Sequence, residues 1–133
     1  MSAATKVGRR AFVAGAVAAG TLGRAAPVAA EGATMHGLIG KMIAHPGQRD
    51  ALAAIMLDGV GGMPGCLSYV VATDPRDADV LWITEVWEDA AAHAASLKLP
   101  GVQAAIAKGR PLIAGFGDYV TTTPLGGHGL RPA

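Results

Sequence analysis

Two residues of types that move protons, Glu85 and His93, stand on either side of Trp87 in the sequence. An imidazole has an unperturbed pKa near 6.5, so His93 can accept or release a proton close to neutral pH. Glu85 alternates with Ile83 and Trp87, and a carboxylate on such an apolar strand face requires a partner. That partner is either a functional group or a backbone or subunit contact. A structural role for His93 also stays open, because Asp89 stands four residues earlier, within reach for a local pair on a helix.

The other residues of chemical interest match no familiar catalytic or metal-binding pattern. Cys66 is the only cysteine, and because it opens an apolar run we interpret it as a small buried hydrophobe rather than a nucleophile or an intersubunit disulfide. The glycine-rich stretch 59–62 closes a predicted helix, so it cannot present helix-start amides to a phosphate. Closely spaced metal ligands are also missing from the sequence, since the four histidines are far apart, at His36, His45, His93 and His128.

The pattern of apolar residues, turns and breakers predicts the element order βαββαβ. Leu52, Ile55 and Met56 repeat at helical spacing after the first strand, and a polar loop separates the two central strands. Pro100 and Gly101 are expected to interrupt the second helical region. The predicted strands are 36–45, 66–72, 80–87 and 116–123, and the predicted helical segments are 50–59, 88–97 and 102–108.

The predicted third strand carries large apolar side chains on both faces. Ile83 and Trp87 share one face, whereas Val80, Trp82 and Val86 share the other. The two helical regions can cover only one face of a four-stranded sheet. A second subunit is the economical way to bury the other face, so the sequence predicts a homodimer.

The first thirty residues differ in composition from the rest of the chain. The whole chain has 133 residues, 51% of them hydrophobic, and a formal charge of +1, which allows one ordinary domain. Nucleic acid is an unsuitable partner for so little positive charge. Residues 1–30 contain no acidic residue but four of the eleven basic ones, so the remainder carries seven basic and ten acidic residues, a charge of −3.

Residues 1–30 have the order of parts of an export signal. Arg9 and Arg10 precede Phe12 and a weakly apolar run, and small residues at Val28 and Ala30 suit cleavage after Ala30. The pattern resembles a twin-arginine signal and predicts export to the periplasm or the extracellular space. The apolar run is too short for a membrane-spanning helix, which needs about 20 residues. An uncleaved anchor or a disordered tail is the alternative.

Three sequence blocks together resemble the antibiotic biosynthesis monooxygenase family, which includes small quinol monooxygenases. The resemblance covers about residues 35–123, within a predicted domain of residues 31–133. It implies a ferredoxin-like α+β subunit that pairs sheet against sheet into a dimeric α/β barrel, with a pocket between sheet and helices. The blocks are His45-Pro-Gly-Gln-Arg-Asp-Ala-Leu52, Pro64-Gly-Cys-Leu-Ser-Tyr69 and Glu85-Val-Trp-Glu-Asp-Ala-Ala-Ala-His93.

Resemblance to the oxygenase members implies oxidation of a small quinol, phenol or anthrone-like aromatic by O₂ without a bound metal, flavin or other cofactor. His93 would be the base in such a reaction, and Glu85 would orient His93 or a substrate hydroxyl. Haem degradation is disfavoured, since segment 102–108 has no histidine and the first strand has no asparagine. A non-catalytic binding or stress-related module on the same fold is the alternative function. The implied substrate-binding residues are Trp87, Tyr69, Trp82 and Tyr119.

Overall fold

The computed structural model describes residues 34–130. The predicted export signal, residues 1–30, lies outside the described residues. Within them, four strands and three α-helices follow one another in the predicted order, with the second helical region divided in two. The elements are β1 (His36–Ala44), α1 (Arg49–Gly59), β2 (Cys66–Thr73), β3 (Val80–Trp87), α2 (Ala90–Ser96), α3 (Pro100–Gly109), a 3₁₀ turn (Arg110–Leu112) and β4 (Ile113–Thr122).

The four strands form an antiparallel sheet in the order β2-β3-β1-β4, which is the ferredoxin-like arrangement and confirms the predicted fold class. The sheet does not close on itself. On β3, Glu85 is paired with Leu38 of β1 on one side and with Tyr69 of β2 on the other. Trp87 is flanked in the same way by His36 and Cys66. The register therefore gathers the candidate residues of three strands at one end of the sheet.

Two predicted boundaries need correction. Pro100 begins α3 instead of interrupting a helix, because the first helical position needs no backbone donor and suits the fixed φ of proline. The last strand starts at Ile113 and not at Phe116, since only the short 3₁₀ turn Arg110–Leu112 separates α3 from the sheet. The strand thus pairs with nearly the whole of β1, from Ala44 to Gly37.

The core lies between one face of the sheet and the helices. Ala44, Leu81 and Ile83 pack there against Leu52 of α1, and each is at most 6% exposed. Full burial of a Leu or Ile side chain contributes about 1.5–3 kcal/mol to folding. The helical stripe predicted for α1 therefore faces the core, with Met56 packed beside Leu52.

The opposite face of the sheet carries a row of apolar side chains with no helix over it. Val70, Ile39 and Val120 stand in one register row across the sheet, and they are 50%, 38% and 52% exposed. The two-sided pattern predicted for β3 is thus present, and the described helices cover only one side. No helix among residues 34–130 is long and apolar enough to cross a membrane.

Candidate functional site

A cavity of about 590 Å³ lies between the sheet and the three helices. Its walls are mainly apolar, and they come from all four strands as well as from the helices. Three of its polar side chains, Tyr69, Glu85 and His93, come from β2, β3 and α2, respectively. The fold therefore brings an acid, a phenol and an imidazole together at the wall of an apolar space. The apolar walls include Met42, Leu52, Met56, Val102, Ile106 and Phe116.

Glu85 occupies the apolar face of β3, as the alternation of that strand predicts. The indole N–H of Trp87 donates to Glu85 Oε1 at 3.0 Å, which supplies the partner that a buried carboxyl requires. Burial raises the pKa of Glu85, and the Trp87 hydrogen bond partly opposes that rise because it stabilises the ionised form. The carboxyl oxygen is 3.9 Å from Nε2 of His93, so the two groups are close enough to exchange a proton through a small adjustment or one water.

His93 is held by the local structure of α2. The Asp89 carboxylate caps this helix by accepting from the backbone N–H of Ala92 at 2.7 Å, and the buried Ser96 hydroxyl donates to the carbonyl of His93 at 2.6 Å. The imidazole lies against Trp87, with 5.3 Å between ring centroids. Asp89 thus serves as a helix cap, and the carboxyl close to His93 is that of Glu85.

The imidazole of His93 is tuned towards its neutral form. Burial is the main cause of the lowered pKa of His93, and electrostatic repulsion from His36 lowers this pKa further. A neutral imidazole can accept a proton at neutral pH, which is the requirement for a general base. The arrangement of His93 beside Glu85 can therefore remove a proton from a hydroxyl group bound in the cavity.

Tyr69 and Trp87 form the wall next to this pair. Burial raises the pKa of the Tyr69 phenol, and the nearby Glu85 carboxyl raises it further, so the phenol keeps its proton and can donate a hydrogen bond. Trp87 is only 1% exposed and lines the cavity. The structure thus brings four of the predicted site residues together: Tyr69, Glu85, Trp87 and His93.

The other two predicted substrate-binding residues do not line this cavity. Trp82 lies on the opposite face of the sheet, where its indole N–H donates to Asp74 Oδ2 at 2.9 Å and Lys41 Nζ stands 5.1 Å from its ring. Tyr119 is 64% exposed and lines a neighbouring cavity of about 360 Å³. Phe116, which contributes to both cavities, was missed as a site residue because only the pairing of β4 with β1 shows that it lies beside Met42.

The comparisons with known proteins agree with this geometry. Residues 35–108 match the family model described as "Antibiotic biosynthesis monooxygenase". A solved structure from Chloroflexus aurantiacus J-10-fl, named "putative Antibiotic biosynthesis monooxygenase", is 63% identical, with a TM-score of 0.72, over 73% of this chain and 99% of its own.

The chain belongs to the antibiotic biosynthesis monooxygenase family. A more distant protein from Nitrosomonas europaea carries the same name, and its 13% identity with a TM-score of 0.64, over 68% of this chain and 90% of its own, shows the shared fold. A search of curated proteins found no match. The family and the names of its members support a monooxygenase-like role in general.

Among the described residues of this family member, no group of three or more His, Cys, Asp and Glu side chains could hold a metal ion. The thiol of Cys66 is partly buried, and it contacts the carbonyl of Ser68 at 3.6 Å. Burial raises the pKa of Cys66, which keeps the sulfur protonated and disfavours a nucleophilic role. The sequence interpretation of Cys66 was a small buried hydrophobe, and the structure places the side chain at intermediate burial.

Proposed function

We propose that the protein is a cofactor-independent monooxygenase that oxidises a small quinol, phenol or anthrone-like aromatic with O₂. The observation that carries this proposal is the pair formed by His93 and Glu85, 3.9 Å apart at the wall of a mainly apolar cavity. The volume of about 590 Å³ lies within the range typical of small-molecule sites.

The first step of the proposed reaction is removal of a proton from the substrate. Neutral His93 accepts the proton from a phenolic hydroxyl or an activated ring carbon, because burial keeps the pKa of this imidazole low. Glu85 stabilises the imidazolium that forms, since its carboxyl oxygen already lies beside Nε2. The base and its stabilising group thus both face the cavity.

Tyr69 and Trp87 hold the resulting anion. The Tyr69 phenol retains its proton and can donate a hydrogen bond to the anionic oxygen, and the mainly apolar walls offer few other polar groups that would compete with this interaction. An electron-rich anion can pass one electron to O₂, and recombination of the two radicals forms a carbon–oxygen bond. For a hydroquinone, one oxygen atom then enters the ring as a hydroxyquinone and the other leaves as water.

The test is oxygen consumption by residues 31–133 with a panel of hydroquinones and anthrones. His93→Ala should abolish uptake above buffer autoxidation, whereas His128→Asn, a change of an exposed histidine near the C-terminus, should leave it intact. Uptake that survives in His93→Ala would refute the assignment of the base. Absence of uptake by the unchanged protein, together with saturable binding of the same aromatics, would favour a non-catalytic binding module.

We also propose that a second copy of the chain covers the exposed apolar face of the sheet. The supporting observation is the row formed by Val70, Ile39 and Val120, which lies on the side away from the helices. Light scattering should give twice the monomer mass for the unchanged protein. The Ile39→Lys variant should give the mass of a single monomer. Leu57→Lys is the control, because Leu57 is exposed on α1, away from that face. A monomeric unchanged protein would refute this proposal.

We propose that the protein is exported through the twin-arginine route to the periplasm or the extracellular space. The support is the sequence of residues 1–30, with Arg9 and Arg10 ahead of a weakly apolar run. Replacement of both arginines by lysine should keep the full-length precursor in the cytoplasm of the expressing bacterium. Unchanged export of the double variant would argue against this route.

A further inference from the structure

His93 has a second neighbour that can carry a charge, and that neighbour lies outside the cavity. His36 begins β1 on the same face of the sheet, directly across from Trp87. Its ring centroid is 5.6 Å from that of His93, and the two planes are tilted by 33°. His36 is half-buried and is not among the residues that line the cavity. The His93 imidazole is therefore close both to the Glu85 carboxyl, which lines the cavity, and to the His36 imidazole, which does not.

The groups around His93 act on its protonation in opposite directions. An ionised Glu85 favours a proton on His93, whereas a protonated His36 disfavours it, and the distances of 3.9 Å to Glu85 Oε1 and 5.6 Å to the His36 ring centroid are short enough for both interactions. The Asp89 carboxylate is engaged as the cap of α2. Other titratable groups on the elements packed around this end are Tyr69 and Cys66 of β2 and Glu88 after β3. Arg110 also lines the cavity, but it lies before the start of β4, which pairs with the opposite end of β1.

We propose that His36 is a positioning residue that keeps His93 free to act as a base, because a positive charge on the His36 imidazole disfavours a second positive charge on the adjacent His93 ring. The charge of His36 offsets the attraction that Glu85 exerts on a His93 proton. In agreement with this geometry, His36 contributes to the lowered pKa of His93, after burial. The inference rests on the proposed role of His93 as the base, but the coupling of the two rings can be measured without a substrate.

The test is an NMR titration of the histidine ring signals in residues 31–133. In His36→Gln the midpoint of His93 should move to higher pH, because a positive neighbour has been removed. In His36→Lys it should move to lower pH, because that neighbour is then permanently charged. His45→Gln is the matched control: His45 is exposed and follows the opposite end of β1, so its loss should leave the His93 midpoint in place.

Opposite movements in the Gln and Lys variants would establish an electrostatic role, since a purely structural disturbance has no reason to follow the sign of the charge. The proposal would be overturned if the His93 midpoint moved in the same direction in both variants, or if it did not move in either. The acidic limb of oxygen uptake should follow the His93 midpoint. If no substrate supports uptake, the proposed function fails, whereas the titration still decides whether the rings are coupled.

Discussion

The hydrogen bond from Trp87 to Glu85 should make the stability of a Trp87→Phe variant depend on pH. Phenylalanine keeps a ring in this 1% exposed position but removes two ring carbons and the N–H that donates to Oε1 at 3.0 Å. At about 0.8 kcal/mol for each buried CH₂-sized group, the lost packing costs roughly 1.6 kcal/mol at any pH. The lost hydrogen bond adds about 1 kcal/mol when Glu85 is protonated and about 2 kcal/mol when it is ionised.

The sign of the pH dependence follows from the pKa of Glu85. Burial raises the folded-state pKa of Glu85 above its usual value of 4.5. Below pH 4.5 Glu85 is protonated in both the folded and the unfolded states, so its burial costs no charge-desolvation energy. As pH rises through the folded-state pKa, the buried carboxyl must ionise, and the fold loses stability. The Trp87 N–H reduces this loss, and the variant lacks it. The cost of Trp87→Phe should therefore grow from roughly 2.5 kcal/mol at pH 4 to roughly 3.5 kcal/mol at pH 8.

Urea unfolding followed by circular dichroism, at a single protein concentration, measures this difference. The matched control is Trp82→Phe, because Trp82 also donates to a carboxylate, that of Asp74. The Trp82 hydrogen bond is the largest of the interactions that lower the pKa of Asp74 below 3.8. This carboxylate is therefore mostly ionised in the folded protein at both pH 4 and pH 8. Its loss should have nearly the same effect at pH 4 and pH 8. A Trp87→Phe cost that is constant or that falls with pH would refute the reasoning.

Two further changes probe the elements that position the site. Leu52→Ala should lower the free energy of unfolding by about 3 kcal/mol in urea titrations, because Leu52 is 1% exposed in the core, whereas Leu57→Ala at a 56% exposed position should cost well under 1 kcal/mol. Asp89→Ala should lower the free energy of unfolding by about 1 kcal/mol, because the cap of α2 is lost. Asp89→Asn should keep most of that stability, since asparagine is also a good N-cap residue. Equal losses in the two variants, measured by thermal unfolding, would contradict the capping role.

Much of the fold was predictable from local patterns. The alternation of Ile83, Glu85 and Trp87 correctly assigned β3 and its two faces, and the helical spacing around Leu52 assigned the side of α1 that packs in the core. The boundaries near Pro100 and Ile113 were predicted wrongly. A proline is compatible with either the end or the start of a helix, and only the packing of the following residues selects between them.

Within the candidate site, the sequence by itself determined the residue types and the local geometry. A period of two places Glu85 and Trp87 on one strand face, and the capping carboxylate of Asp89 starts the helix that carries His93. A carboxylate on an apolar face needs a partner, and this need was readable from the alternation alone. The identity of the partner could not be predicted from the alternation, since a backbone group, another subunit or a nearby side chain would each satisfy the carboxylate.

The tertiary structure decided which of these residues meet. Strand register places Tyr69 beside Glu85 and His36 beside Trp87, although these partners are 16 and 51 residues apart in the sequence. Alternation along β3 had already separated Trp82 from Trp87, but only the packing of the helices shows that the face of Trp82 is the one away from the cavity. Spacing along one chain describes a single element, whereas contacts between elements depend on how strands pair and helices pack, and these are set by burial of the whole core. The sequence therefore supplied the acid and the base, and only the fold joined them at one cavity.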